Sequence, residues 1–269
     1  MKIEAERGYL IIAQNTDDVD YVRCARILSK SLKKTQPTAL VCLVTDIIPE
    51  NTKDFDFVKI FPFGDHAQNQ TWKLHNDWQC FYATPFRQTI KIEADIVVPQ
   101  SIEHWFDILQ HKDLVVMLGA KDFRNRMGTS RHYRKIFDVN ELPDAYNAIT
   151  YWRISKAAQT FFTTVKKIIM DWPEVMQTLL FGKNQPVNTD LAYAIALKIL
   201  GIEHYTLPLS VPSMIHLKSK FNGLDGDDWS KELIWEITDN DFRINTVSQM
   251  WPIHYQQKTF VKELEKYYG

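Results

Sequence analysis

Cysteine is scarce in this chain of 269 residues: Cys24, Cys42 and Cys80 are the only three, and no CxxC or CxxH spacing occurs. So sparse and odd a set excludes a disulfide framework and points to core packing in a reducing compartment. Glycine is also sparse, and neither a GxGxxG turn nor a Walker loop is present, which excludes the common dinucleotide and P-loop phosphate sites. GxSxG and HExxH are absent as well. Charge of one sign is missing: 32 basic against 33 acidic residues leave a net charge of −1, so any anionic or cationic partner must meet a local patch. No apolar run approaches the length of a membrane span, and charges interrupt the start, Met1 to Arg7, where a signal peptide would need an apolar stretch. The expectation is a soluble, cytoplasmic protein without a membrane partner.

What is present suffices for a large core, since 45% of the residues are apolar. The run Gly8 to Ala13 reads as a strand, and Val22, Ala25, Leu28 and Leu32 then recur at helical spacing. The apolar run Ala39 to Val44 suits a strand covered on both faces, so a parallel strand–helix–strand unit follows. Further strands are expected at 57–61, 89–92, 114–118, 148–152, 213–217 and 232–237. Helices are expected over 72–81, 157–169, 174–180 and 189–200. With no Pro/Gly/Ser linker, repeat or low-complexity tract, the fold class is α/β, a mixed and mostly parallel sheet flanked by helices in one domain over 1–269. Residues 1–120 would bind a cofactor and 121–269 would close the site.

Glu93-Ala94-Asp95 follows an apolar strand and precedes Ile96-Val97-Val98-Pro99. Carboxylates in such a setting are costly unless paired or metal-bound, and alternate acids can hold one divalent cation if the backbone bends there. The bland alternative has one carboxylate facing solvent and the other capping a helix near Ser101. His216, in Met-Ile-His-Leu, is read either as a hydrogen-bonded core histidine or as a neutral imidazole ligand. Asp190 is read either as a first-turn carboxylate favoured by the helix dipole or as a charge facing a reacting carbon. The stretch 121–135 concentrates Arg124, Arg126, Arg131 and Arg134 with Phe123 and Tyr133. It is expected to be exposed, as a solvated face, a lid, or a DNA contact in which arginines neutralise phosphates and the rings stack on a displaced base.

TIKIEADIVVP resembles the strand and Asp-x-Asp motif of GT-A glycosyltransferases, especially glycogenin-like ones, with Glu in place of the first Asp. GYLIIAQNTDDVDYVRCARILSKSLKK is similar to that family's first strand, nucleotide-contacting loop and helix. Other segments fall in the family's order: Trp72-Lys73-Leu74, Tyr146-Asn147-Ala148, Asn188-Thr189-Asp190 and Met214-Ile215-His216-Leu217. The wording of WKLHNDW, IKIEAD, LPDAYNA and MIHLKSKF also resembles glycosyltransferases of T-even-type tailed phages.

The resemblance implies a donor that is a nucleoside-diphosphate sugar, with UDP expected, and Mn²⁺ or Mg²⁺ held by Glu93, Asp95 and His216. It implies that Ala13, Asn15 and Tyr21 contact the nucleotide, that Lys73 and Lys220 offset leaving-group charge, and that Asn147 and Asp190 act at the sugar. The phage likeness implies glucosyl or arabinosyl transfer to 5-hydroxymethylcytosine in double-stranded DNA, with Arg124, Arg126, Arg131 and Arg134 on the acceptor. Rival readings are transfer to a protein or glycan, a catalytically silent nucleotide-sugar-binding module, and a nucleotidyltransferase.

Overall fold

The computed structural model describes residues 2–128, 134–207, 211–239 and 241–269. In chain order its strands are β1 (Ala5–Ile12), β2 (Val41–Thr45), β3 (Phe57–Ile60), β4 (Phe86–Ile92), β5 (Ile96–Val97), β6 (Leu114–Leu118) and β7 (Ala145–Arg153). They continue with β8 (Thr206–Leu207), β9 (Ile215–His216), β10 (Trp235–Ile237), β11 (Phe242–Ile244), β12 (Val247–Ser248) and β13 (Ile253–His254). Seven of them form the main sheet in the order β3-β2-β1-β4-β7-β6-β8. Its ladders are parallel except where β7 runs antiparallel between β4 and β6.

Every residue of β2 is buried, as expected of a strand covered by helices on both faces. Alternation along β1 divides the core: Tyr9 and Ile11 join one apolar cluster and Leu10 the other. The helix Tyr21–Thr35 makes the first crossover; Asp20 caps it by accepting from the Arg23 N–H, and Cys24, Ala25, Leu28 and Leu32 form its buried face. All three cysteines are free and buried.

Gly8 of β1 pairs with Thr89 of β4. A Cβ built there falls 2.4 Å from the Phe86 ring, which is fully buried. Gly8→Ala is therefore expected to cost about 1–3 kcal/mol, because the ring has no room to retreat. A denaturant midpoint equal to the parent's would refute this.

Several expectations are corrected by the structure. The stretch after Trp72 begins as a 3₁₀ helix, Lys73–Gln79, and becomes α-helical only over Cys80–Ala83. Its side chains explain this: Asn76 and Gln79 are spent on the loop before it, with Asn76 bonding Gln14 and Asp65 and Gln79 bonding the Gly64 carbonyl. The strand expected at 213–217 shrinks to β9, and helix Trp229–Glu232 precedes β10. Residues beyond Ile237, which carry little periodicity, form β11 to β13 and the helix Val261–Tyr268. That last helix packs on Tyr21–Thr35, where Arg23 donates to both Glu265 oxygens. Among the described residues no helix is long and apolar enough to cross a membrane.

The acidic segment sits where the chain changes sheets. The Glu93 N–H still donates to the Ala148 carbonyl beyond the end of β4. Three residues later the chain enters β5, in a small sheet of order β5-β13-β9.

Candidate active site

Glu93 and Asp95 project at this switch, and the small sheet brings two histidines beside them. His254 on β13 is in register with His216 on parallel β9, and their imidazoles stack with centroids 4.5 Å apart. His254 Nε2 lies 2.8 Å from Asp95 Oδ2, and its Nδ1 lies 3.7 Å from Glu93 Oε2. Lys258, four residues beyond β13, donates to the same Asp95 oxygen.

Electrostatics separate the two acids. Burial would raise the Asp95 carboxyl, but His254 and Lys258 hold it well below the usual carboxylate range. Burial, with Asp95 nearby, pushes Glu93 up to about 7 against the pull of His254. Burial, and then the neighbouring His254 and Lys218, depresses His216 well below its ordinary value, so its imidazole is neutral. Its Nδ1 meets the Tyr146 hydroxyl, while its Nε2 is buried without a hydrogen-bond partner among the described residues.

These groups suit a divalent cation. Glu93, Asp95 and His254 each offer a ligand atom within 4.8 Å of the others. The donors are carboxylate oxygen and imidazole nitrogen, a set that suits Mn²⁺. The orphaned nitrogens His216 Nε2 and His254 Nδ1 are further polar groups that a cation or its waters would satisfy. Of the expected trio, Glu93 and Asp95 fall in this group together with His254, and His216 stacks on His254. Asp95 caps no helix; the cap position of helix His104–Leu109 is Glu103.

A cavity of about 330 Å³ opens on this cluster at the carboxyl ends of β1 and β4, the usual ligand crevice of an open α/β sheet. Tyr21, Lys73, Lys218 and Lys258 line it. Lys73 Nζ donates to the carbonyls of Ala67 and Gln68, which fixes it at the rim. A second groove of about 370 Å³, between the loops 16–21 and 68–73, shares Tyr21, Trp72 and Lys73 with the first.

Ala13 is buried, with its N–H bonded to the Val44 carbonyl, and Asn15 spends its side chain on the Val22 N–H; neither lines the cavity. Asn147 is fully buried behind the cavity wall. Asp190, in the first turn of helix Thr189–Leu200, accepts from the Asn147 N–H at 2.7 Å and from Arg134 at 3.2 Å. The side chain of Lys220, Arg131 and Tyr133 lie outside the described residues.

The basic stretch is less exposed than its composition suggests. Arg134 is only 3% exposed, held by Asp144, Asp190 and the Ala145 carbonyl, so it is a buried clamp and presents nothing to an acceptor surface. Phe123 is buried in the core and is unavailable for stacking on a base. Arg124 and Arg126 are exposed, Arg124 over the Phe123 ring and Arg126 paired with Asp122.

His254 and Lys258 went unread in the sequence. Their signal is faint: a histidine in a two-residue apolar strand, in Pro-Ile-His-Tyr, with a lysine four residues later and no periodic segment around it.

No protein-family model matches the chain, and no curated protein matches it in sequence. Solved structures do match. The galactosyltransferase LgtC, in complex with donor and acceptor sugar analogs, superposes with a TM-score of 0.54 at 11% identity, over 96% of this chain and 95% of that one. An active-site mutant of LgtC gives 0.56 at 11% identity over the same shares. The glycosyltransferase GlyE of Streptococcus pneumoniae gives 0.48 at 11% identity, and this chain spans 46% of its length. The chain therefore has the mixed, mostly parallel α/β fold of the GT-A glycosyltransferases, as seen over nearly the whole length of LgtC.

Proposed function

We propose that the chain is a metal-dependent glycosyltransferase that moves a sugar from a nucleoside diphosphate, UDP being the expected one, to a hydroxyl acceptor. The observation that carries this reading is the Glu93–Asp95–His254 cluster opening into a crevice at the strand ends of a fold shared with LgtC. Likeness of fold alone does not assign an activity. The acids and histidines supply the chemistry that the fold leaves unspecified.

Glu93, Asp95 and His254, with His216 behind them, would hold Mn²⁺ or Mg²⁺. When bound, the ion would neutralise charge on the departing diphosphate. Lys258 and Lys218, both lining the cavity, add positive charge on that side, with Lys73 at the rim. Tyr21 offers a ring at the junction of the two grooves, suited to a nucleobase, and the exposed Trp72 offers a second. Asp190, oriented by Arg134 and the Asn147 N–H, is the carboxylate assigned to the sugar, where a fixed negative charge favours an oxocarbenium-like state. In the transfer, the acceptor oxygen bonds to the anomeric carbon as the carbon–oxygen bond to the diphosphate breaks. The bonding pair leaves with the diphosphate, which also takes up the proton of the acceptor hydroxyl.

For the acceptor we propose 5-hydroxymethylcytosine in DNA, on the support of the phage resemblance and of Arg124 and Arg126, the exposed cations of the loop among the described residues. A protein or glycan hydroxyl is the alternative. The test is a mass-spectrometric screen of nucleotide sugars with Mn²⁺, offered hydroxymethylated DNA, unmodified DNA and no acceptor. The expected result is sugar on hydroxymethylated DNA only, abolished by chelation with EDTA and restored by Mn²⁺. Donor hydrolysis without DNA labelling would refute the acceptor and leave the donor reading standing. Binding of UDP with no sugar loss under any condition would make the chain a silent module.

A further inference from the structure

The cavity has a charged floor that the metal cluster does not use. Lys91, on β4, lies two residues before Glu93, and both line the cavity. Lys91 is 2% exposed, and its Nζ donates to Asp77 Oδ1 and, at 2.9 Å, to Asn147 Oδ1. The Tyr193 hydroxyl donates to Asp77 Oδ2 at 2.7 Å, and the Thr150 hydroxyl to Asn147 Oδ1 at 3.2 Å. Trp78, Phe161 and Tyr193 make the surroundings apolar.

Such a pair is a poor device for stability. A buried ion pair is commonly no better than two apolar side chains of the same volume. Yet both Lys91 and Asp77 also line the cavity, with Leu74, Ile92 and Thr189. An ammonium has three N–H donors, and two meet Asp77 and Asn147. The carboxylate keeps acceptor capacity beyond Lys91 and Tyr193. Because Lys91 fixes the Asn147 carbonyl toward itself, the amide nitrogen faces elsewhere, and it is buried without a partner among the described residues.

We propose that Lys91 and Asp77 form the floor of the sugar subsite and select a neutral sugar through its hydroxyl groups, an inference that rests on the glycosyltransferase reading. A hydroxyl both donates and accepts, so one side of it suits the ammonium and the other the carboxylate. The pair carries no net charge, and Glu93 and Asp95 stand beside it. A uronic acid would bring a further carboxylate beside Asp77, Glu93 and Asp95, where the Lys91 ammonium is already paired with Asp77.

The experiment is calorimetric titration, with Mn²⁺ present, of UDP, UDP-glucose, UDP-galactose, UDP-xylose and UDP-glucuronate. The parent protein should favour one neutral sugar nucleotide by at least about tenfold over the poorest neutral one and over UDP-glucuronate, the scale set by unpaired polar groups in a mismatched site. The double variant Lys91→Met/Asp77→Asn, matched in volume and net charge, should keep UDP affinity within about twofold and lose the discrimination. Should that variant fail to fold, as read by its melting transition, Tyr193→Phe serves instead: it releases one Asp77 oxygen and should change the preference among neutral sugars severalfold. Discrimination that persists in a folded double variant or is untouched in Tyr193→Phe, or UDP-glucuronate binding as tightly as the best neutral donor, would overturn the subsite. If the parent protein binds neither UDP nor any of the sugars, the glycosyltransferase reading itself falls and takes this inference with it.

Discussion

Asp95→Asn is expected to lower sugar transfer by about 10³-fold or more, because one oxygen atom of Asp95 organises His254 and Lys258 together. The amide keeps the volume and removes the charge. His254 and Lys258 are then left with a neutral amide oxygen, a weaker acceptor than the carboxylate that holds both. UDP binding in EDTA should change little, while the gain in affinity on adding Mn²⁺ should disappear. Stability should fall far less than activity, because Lys258 is 24% exposed and can turn its ammonium to water. Calorimetry on the folded variant reads both effects. An intact Mn²⁺ gain in Asp95→Asn would move the ion away from this cluster and defeat the proposed role of the acidic pair.

The second large effect concerns folding. Lys91→Met alone leaves the Asp77 carboxylate in an apolar enclosure without its cation, and is expected to cost about 3–5 kcal/mol. Burial would lower the Lys91 ammonium, but Asp77 and then Cys80 beside it outweigh burial and hold it above its ordinary value, so the charge is present at neutral pH. In a chain of this size that loss lowers the melting temperature by roughly 10 °C. Asp77→Asn introduced with Lys91→Met should recover most of it, since the buried charge is then gone from both sides, giving a strong coupling in a double-mutant cycle. A single variant within about 1 kcal/mol of the parent would show that Asp77 is solvated through the cavity.

The two sites differ in how legible they were. Glu93 and Asp95 stand out in the sequence because acids are costly between apolar strand residues, and the structure places them where the chain leaves one sheet for another. Lys91 has the same signal, a charge inside the run Thr89 to Ile92, yet a single lysine does not reveal that Asp77 awaits it from a different element. His216 was visible in an apolar strand, whereas its role depends on a neighbour, His254, that stacks on it from β13. Arg134 misled by composition: in a cluster of arginines its charge suggests solvent, but Asp144 and Asp190 draw it inward.

Wherever a segment carries its own apolar pattern, as in β6, helix Thr189–Leu200 and the first strand–helix–strand unit, the sequence by itself determined the element, because a continuous apolar run suits an element covered on both sides and helical spacing suits one buried along a stripe. The layered α/β architecture follows from the order of those elements. The composition of the site was decided only in three dimensions. His254 and Asp95 meet from positions 159 residues apart, through strands of two residues that have no local preference strong enough to announce them. Contacts of that separation exist only once the surrounding chain is packed, and it is the packing that turns two acids, two histidines and a lysine into one electrostatic unit.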